Sequence, residues 1–204
     1  MNDFIFHSEL KNELEFIIDK TDKLTGALCF HGKPGCGKTT FAEYYAHKVA
    51  KEVTIFDANS HLFDKSSATN ILKQIKDSGR TLSSFFEDNS NDNAYWDRCF
   101  IIDEFHNLSA SRQDAYKVSL ERLSKQLNAL FILIVNTDEK NPLNKVLTPA
   151  IYSRVQPIDF DIKTQHYDEV TGLIKNRHPM LDENYIINTL PDLRKITMRA
   201  RLLS

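Results

Sequence analysis

The chain has 204 residues, enough for one full core or a core with a small lid. Its 26 Lys+Arg against 28 Asp+Glu leave a formal charge of −2, so no global field draws it to nucleic acid, and any DNA contact must come from a local basic face. No apolar run approaches ~18 residues, which argues against a membrane span, and the charged, amphipathic Met1–Asp19 segment does not read as a signal peptide.

In chain order, the apolar spacing of Leu10, Leu14 and Ile17 or Ile18 predicts a first helix over Ser8–Asp19, with Ser8 as the candidate N-cap. Ala27–His31 reads as a strand. The run Gly32-Lys33-Pro34-Gly35-Cys36-Gly37-Lys38-Thr39 follows and fits GxxxxGK[ST], the phosphate-binding loop. A helical segment, Lys38–Ala50, comes next, with Phe41, Ala42, Tyr45, Ala46 and Val49 on one stripe. In that strand–loop–helix context, Gly32, Pro34, Gly35, Cys36, Gly37, Lys38, Thr39 and Thr40 are the expected nucleotide-binding residues. Backbone N–H groups at the helix start would close around phosphates, Lys38 would reach the β/γ oxygens, and Thr39 would offer its hydroxyl to Mg²⁺.

Val53–Phe56 reads as a second strand. A helix capped by Asp64 or Ser66 and ending near Asp77 would turn Ala68, Ile71, Leu72 and Ile75 inward. Thr81–Asp97 is polar and reads as a loop or insertion, with Trp96 anchoring it. Cys99–Ile102 is apolar without interruption, as a strand buried on both faces requires. Arg112–Leu127 has helical spacing, Leu130–Val135 is another buried strand, and Val155–Phe160 is the last. After Asp161 the pattern is purely helical: Thr164–Lys175, Asp182–Leu190 and Pro191–Leu203, with Pro191 suited to a first turn. Strands alternating with helices imply a parallel sheet with helices on both faces, here an α/β core over 1–161 and a helical lid over 162–204.

Asp103 and Glu104 directly follow the Cys99–Ile102 strand, where carboxylates face the ligand crevice of a parallel sheet. Asp103 can hold the Mg²⁺ shell and Glu104 can polarise the attacking water. Asn136, at the end of the Leu130–Val135 strand, is either a turn residue or a group that orients that water or touches the γ-phosphate. Cys29, Cys36 and Cys99 show neither metal spacing nor a disulfide framework, which suggests a reducing interior. The seven histidines form no ligand motif and read as surface or core residues.

Together these segments resemble the AAA+ superfamily and, within it, the clamp-loader ATPases: the small subunits of replication factor C and their phage counterparts. Gly32–Thr39 matches Walker A and Phe100–Glu104 matches Walker B. Asn136 falls at sensor 1, Ser153-Arg154-Val155 resembles the Ser-Arg-Cys signature, and Pro191-Asp192-Leu193-Arg194 resembles the sensor 2 segment. Asp57-Ala58-Asn59-Ser60 resembles the family's Asn-Ala-Ser segment, and Phe4–Leu10 the segment packed near adenine.

The resemblance implies a five-stranded parallel P-loop core, ATP and Mg²⁺ as ligands, and catalytic roles for Glu104, Asp103, Asn136, Arg154 and Arg194. Arg154 would enter a neighbouring subunit's ATP site. The implied partners are neighbouring AAA+ subunits, DNA held through its phosphates, and a sliding clamp. Lys65, Lys73, Lys76 and Arg80 lie on or beside the helix that faces DNA in that family, although a solvated helix face reads equally well.

Three features depart from the pattern: Val155 replaces the signature cysteine, Pro191 replaces the sensor 2 glycine, and the Tyr-Arg-Pro element is absent. The sequence also ends where clamp loaders continue into a helical collar. A domain fragment, a compact viral or phage version, and a helicase-loader relative all remain open. A non-catalytic nucleotide-binding scaffold is disfavoured by the full set of site residues.

Overall fold

The computed structural model describes residues 4–24, 27–58, 94–117, 120–121 and 124–203. Five strands form one all-parallel sheet: β1 (Ala27–Gly32), β2 (Ala50–Asp57), β3 (Trp96–Asp103), β4 (Ala129–Asn136) and β5 (Val155–Asp159). Their spatial order is β2-β3-β4-β1-β5, with helices on the sheet faces. This is the α/β P-loop arrangement that the alternating pattern predicts.

The sequence explains which strands are central. From Ala129 to Val135, β4 offers only apolar side chains, and all are buried between the two faces. At one end of the order, β2 alternates instead and leaves Ile55 exposed. Register aligns the strands' C-terminal ends: Gly32 lies opposite Asn136, and Asp57 opposite Asp103. The residues singled out for chemistry therefore meet along one edge of the sheet.

Helices α1 (Ser8–Asp19) and α2 (Lys38–Val49) pack on one face. Phe41 stands at the centre of that layer, in ring contact with Phe4, Phe6, Phe30, Tyr44, Tyr45 and Phe160. The opposite face carries α3 (Ala110–Ala115), α4 (Leu143–Val146) and α5 (Pro149–Tyr152). A third apolar cluster, from Ile162 to Ala200, is built by α6 (Tyr167–Arg177), α7 (Glu183–Thr189) and α8 (Leu193–Leu203).

Four expectations are corrected. The N-cap of α1 is His7, whose Nδ1 accepts from the Leu10 N–H at 3.4 Å, while the Ser8 hydroxyl and N–H turn instead to the Glu169 carboxylate of α6, at 3.3 and 2.8 Å. Trp96 begins β3 rather than lying in a loop, and packs against the core as expected; Lys51–Asp97 and Glu52–Arg98 ion pairs hold this polar strand end to β2. The helix expected over Arg112–Leu127 starts earlier, at Ala110, and its described part is irregular, with a turn at Tyr116 and π-helical winding at 120–121 before the α-helical Ser124–Gln126. Pro191 precedes α8 across a cis Leu190–Pro191 bond instead of opening the helix. The expected helix from Asp64 or Ser66 to Asp77, Asn59 and Ser60, and the cluster of Lys65, Lys73, Lys76 and Arg80 lie outside the described residues.

Candidate active site

The phosphate loop joins β1 to α2 and turns on glycines. Gly32, Gly35 and Gly37 have φ of 139°, 82° and 93°, a backbone region that side chains disfavour. Gly37 caps α2, so Lys38, Thr39 and Thr40 form its first turn, with their N–H groups at the positive end of the helix dipole. At Gly35 a Cβ would also meet the Asp192 carboxylate, so the loop and the start of α8 touch where only glycine fits.

The Lys38 side chain is buried. Its Nζ donates to the Gly32 and Lys33 carbonyls at 2.8 Å each and lies 3.6 Å from Cys36 Sγ. These contacts place a cation under the loop before any ligand arrives. Cys36 itself points away from the opening, into the core, and donates to the Lys33 carbonyl. Burial pushes its thiol above the ordinary cysteine value.

Thr39 Oγ1 donates to Asp103 Oδ2 at 3.0 Å, and Asp103 Oδ1 accepts the Glu104 N–H at 2.8 Å. Glu104 is left-handed, with φ 55° and ψ 32°, a conformation that costs about 1–2 kcal/mol in a residue other than glycine. Such strain is found where a side chain must be aimed. Asn136 Nδ2 donates to both Glu104 oxygens, at 3.1 and 3.2 Å. Asn107 Nδ2 and His106 Nε2 reach Glu104 Oε2 at 3.4 and 3.3 Å.

A cleft of about 560 Å³ opens over these groups. Its floor includes Pro34, Gly35, Gly37, Lys38, Thr39 and Thr40, with Asp103, Glu104 and Asn136 on one wall. Phe4, Ile5 and Phe6 line an apolar side, and Arg177, Arg194 and Arg201 come from the C-terminal helices. The structure thus brings the expected set together, except that Gly32 and Cys36 sit behind the wall and Arg154 lies elsewhere.

Arg154 follows α5, and its guanidinium rests on its own chain. Nη1 donates to the Ala150 carbonyl at 2.7 Å, and Nε lies 2.8 Å from Glu121 Oε1, a close ion pair rather than an aligned hydrogen bond.

Residues 28–162 match the ATPase family associated with various cellular activities (AAA). The chain belongs to the AAA family of ATPases. As an AAA protein it is an ATP-binding, ATP-hydrolysing enzyme, and the cleft is where the family's nucleotide-binding signatures lie. No curated protein matches the sequence.

Several solved structures share the AAA fold. One variant of RuvB from Thermotoga maritima is 15% identical, with a TM-score of 0.54 over 88% of this chain and 54% of its own. A second RuvB structure, described as a Holliday junction branch migration motor, is 14% identical, with a TM-score of 0.52 over 88% and 54%. Another RuvB variant reaches a TM-score of 0.59 at 14% identity, over 91% of this chain and 56% of its own. The AAA chain therefore spans a little more than half the length of these structures.

Sequence reasoning missed Arg177 and Arg201, which lie on different helices and reach the cleft only through the packing of α6 and α8. It also missed His7, Glu9 and His166, whose ligand atoms lie within 4.8 Å of one another. The two rings are stacked, with centroids 3.7 Å apart and an interplanar angle of 8°. Parallel rings aim their lone pairs side by side rather than at one ion, so this group reads as a contact between the N-terminal segment and the start of α6. Among the described residues, no helix is long and apolar enough to cross a membrane.

Proposed function

We propose that this chain is a subunit of a ring- or spiral-forming ATPase of DNA transactions, of the clamp-loading type, in which ATP is bound at one subunit's cleft and completed by the next subunit's Arg154. The observation that carries this reading is a division of labour. Lys38, Thr39, Asp103, Glu104, Asn136 and Arg194 surround one cleft, whereas Arg154 stands off it. An arginine that is expected to stabilise transition-state charge, yet is remote from its own site, fits action on a neighbour. Residues 1–161 would be the core and 162–204 the lid that closes on it.

The oxygens of Thr39 and Asp103, 3.0 Å apart, form a hard donor pair that fits Mg²⁺, an ion that takes few protein ligands and keeps several waters. When bound, the ion would neutralise charge developing on the β- and γ-phosphates. Lys38 and the first-turn N–H groups of α2 would bind the phosphates. The Phe4–Phe6 wall would take the base. Glu104 would accept a proton from the attacking water, and Asn136 would keep that carboxylate aimed. Arg194 would sense the γ-phosphate from α8 and couple hydrolysis to lid position.

Clamp loading as the specific task rests on the resemblance of Ser153-Arg154-Val155 and of the sensor 2 segment. The likeness to RuvB favours a second reading, a motor or loader acting on DNA without a clamp. Steady-state ATPase assays with and without primer–template DNA separate the two. Stimulation by primed duplex that rises further with a sliding clamp supports the first reading. Stimulation by branched or single-stranded DNA alone supports the second.

A further inference from the structure

The turn after β3 places a histidine where it contributes to the chemistry without reaching the cleft. Asp103 ends β3, and the left-handed Glu104 folds the chain back into the single helical turn Phe105–Asn107. That reversal returns the His106 ring over the Glu104 side chain. His106 is not a cleft-lining residue, so its influence on a bound nucleotide must pass through its neighbours.

Its two nitrogens have different partners. Nδ1 lies 3.3 Å from the Asn136 backbone nitrogen, which can only donate, so Nδ1 must carry the lone pair. The ring proton is therefore on Nε2, which lies 3.3 Å from Glu104 Oε2, a close polar contact rather than an aligned hydrogen bond. Burial keeps His106 below the ordinary imidazole value, and Lys38 acts in the same direction. Glu104 and Asp103 pull the other way. The contact with the Asn136 N–H requires the neutral ring, with Nδ1 unprotonated.

We infer that His106 is a positioning residue for ATP hydrolysis, a neutral bridge that locks the Glu104 carboxylate to the end of β4. The bridge closes a loop of contacts. Asn136 holds Glu104 through its side chain, His106 holds the Asn136 backbone, and His106 also holds Glu104. The carboxylate is thereby fixed relative to two strands, β3 and β4, whose ends frame the phosphates. Without the bridge, Glu104 keeps Asn136 and Asn107 as partners but can swing on its strained backbone. Misplacement of a catalytic base lowers turnover while leaving nucleotide affinity intact. This inference rests on the catalytic role proposed above for Glu104.

The test uses the full chain in its assembled state, with ATP turnover, KM and thermal midpoint measured for three substitutions. His106→Gln supplies an amide donor where Nε2 stood. His106→Asn supplies an acceptor where Nδ1 stood, and His106→Ala supplies neither. Removing this close polar contact to a charged carboxylate, together with the hold on the Asn136 N–H, predicts a fall in kcat of roughly threefold to tenfold for His106→Ala. KM for ATP is expected to stay within about twofold, as for a residue that acts only on the chemical step. His106→Gln should retain the most activity and His106→Asn should follow His106→Ala.

Wild-type kcat in His106→Ala, a change confined to KM, or better rescue by Asn than by Gln would overturn the bridge. If His106→Ala does not fold, the order of Gln and Asn still decides. Glu104→Gln, run alongside, separates the two levels. A dead Glu104→Gln beside fully active His106 variants refutes the bridge alone, whereas an active Glu104→Gln refutes the reading beneath it.

Discussion

Replacing Phe41 with alanine tests whether the nucleotide cleft is supported by the aromatic layer behind it. Phe41 lies one turn into α2, is fully buried, and meets six rings with centroids 5.5–6.1 Å away. Truncating a buried Phe costs about 3–5 kcal/mol in transfer and cavity terms. Close packing by Phe30 of β1, Tyr45 of α2 and Phe160 just after β5, all fully buried, leaves little room for collapse and favours the upper part of that range. At roughly 2–4 °C per kcal/mol for a chain of this size, the thermal midpoint should fall by about 6–20 °C. Function should weaken too, because Phe4 and Phe6 are among the rings that lose support and both line the cleft. The assay is thermal unfolding of wild type and Phe41→Ala, with and without ATP, beside an Ile55→Ala control on the exposed part of β2. A midpoint loss of less than about 3 °C, or one no larger than the control's, would refute the idea that this layer carries the fold.

Other substitutions reach the site directly. Gly35→Ala should weaken nucleotide binding, because its φ of 82° is strained for alanine and its Cβ meets the Asp192 carboxylate. Asp192→Ala in the same chain should recover part of the loss in a double-mutant cycle; strict additivity would show that the loop and α8 are not coupled. Stability should fall as pH drops from about 7 to 5. Burial, the largest cause in each case, holds His7, His31 and His106 below the free value of 6.5. The unfolded chain therefore binds protons first, so their contribution is present above about 6.5 and lost below it. Glu13, raised by burial, opposes this at lower pH. A urea midpoint that does not move between pH 7.5 and 5.5 would show that these rings stay solvated.

What could be read from sequence depended on how local each cause was. The strand cores were legible because Cys99–Ile102 and Leu130–Val135 are apolar without interruption. The phosphate loop was legible because glycines and Lys38 must recur at fixed spacing around a phosphate. The start of β3 was not, since Trp96-Asp97-Arg98 is locally polar and becomes a strand through ion pairs with β2. The cap of α1 depends on a contact far along the chain, because the Glu169 carboxylate of α6 takes both the Ser8 hydroxyl and the Ser8 N–H. Asp103, Glu104 and Asn136 were found from their places after apolar strands. The bridge through His106 was hidden, because it depends on the left-handed turn at Glu104, which no spacing announces.

The central claim is that ATP is hydrolysed with residues of two subunits, and mixing two inactive variants tests it most directly. Arg154→Ala keeps Glu104 but lacks the arginine, and Glu104→Gln keeps the arginine but lacks the base. Each alone should bind ATP and hydrolyse it poorly. Mixed assemblies should regain turnover, because an intact Glu104 then faces an intact Arg154 across a subunit boundary. Full activity in Arg154→Ala alone, or a mixture as inactive as its components, would contradict the shared site.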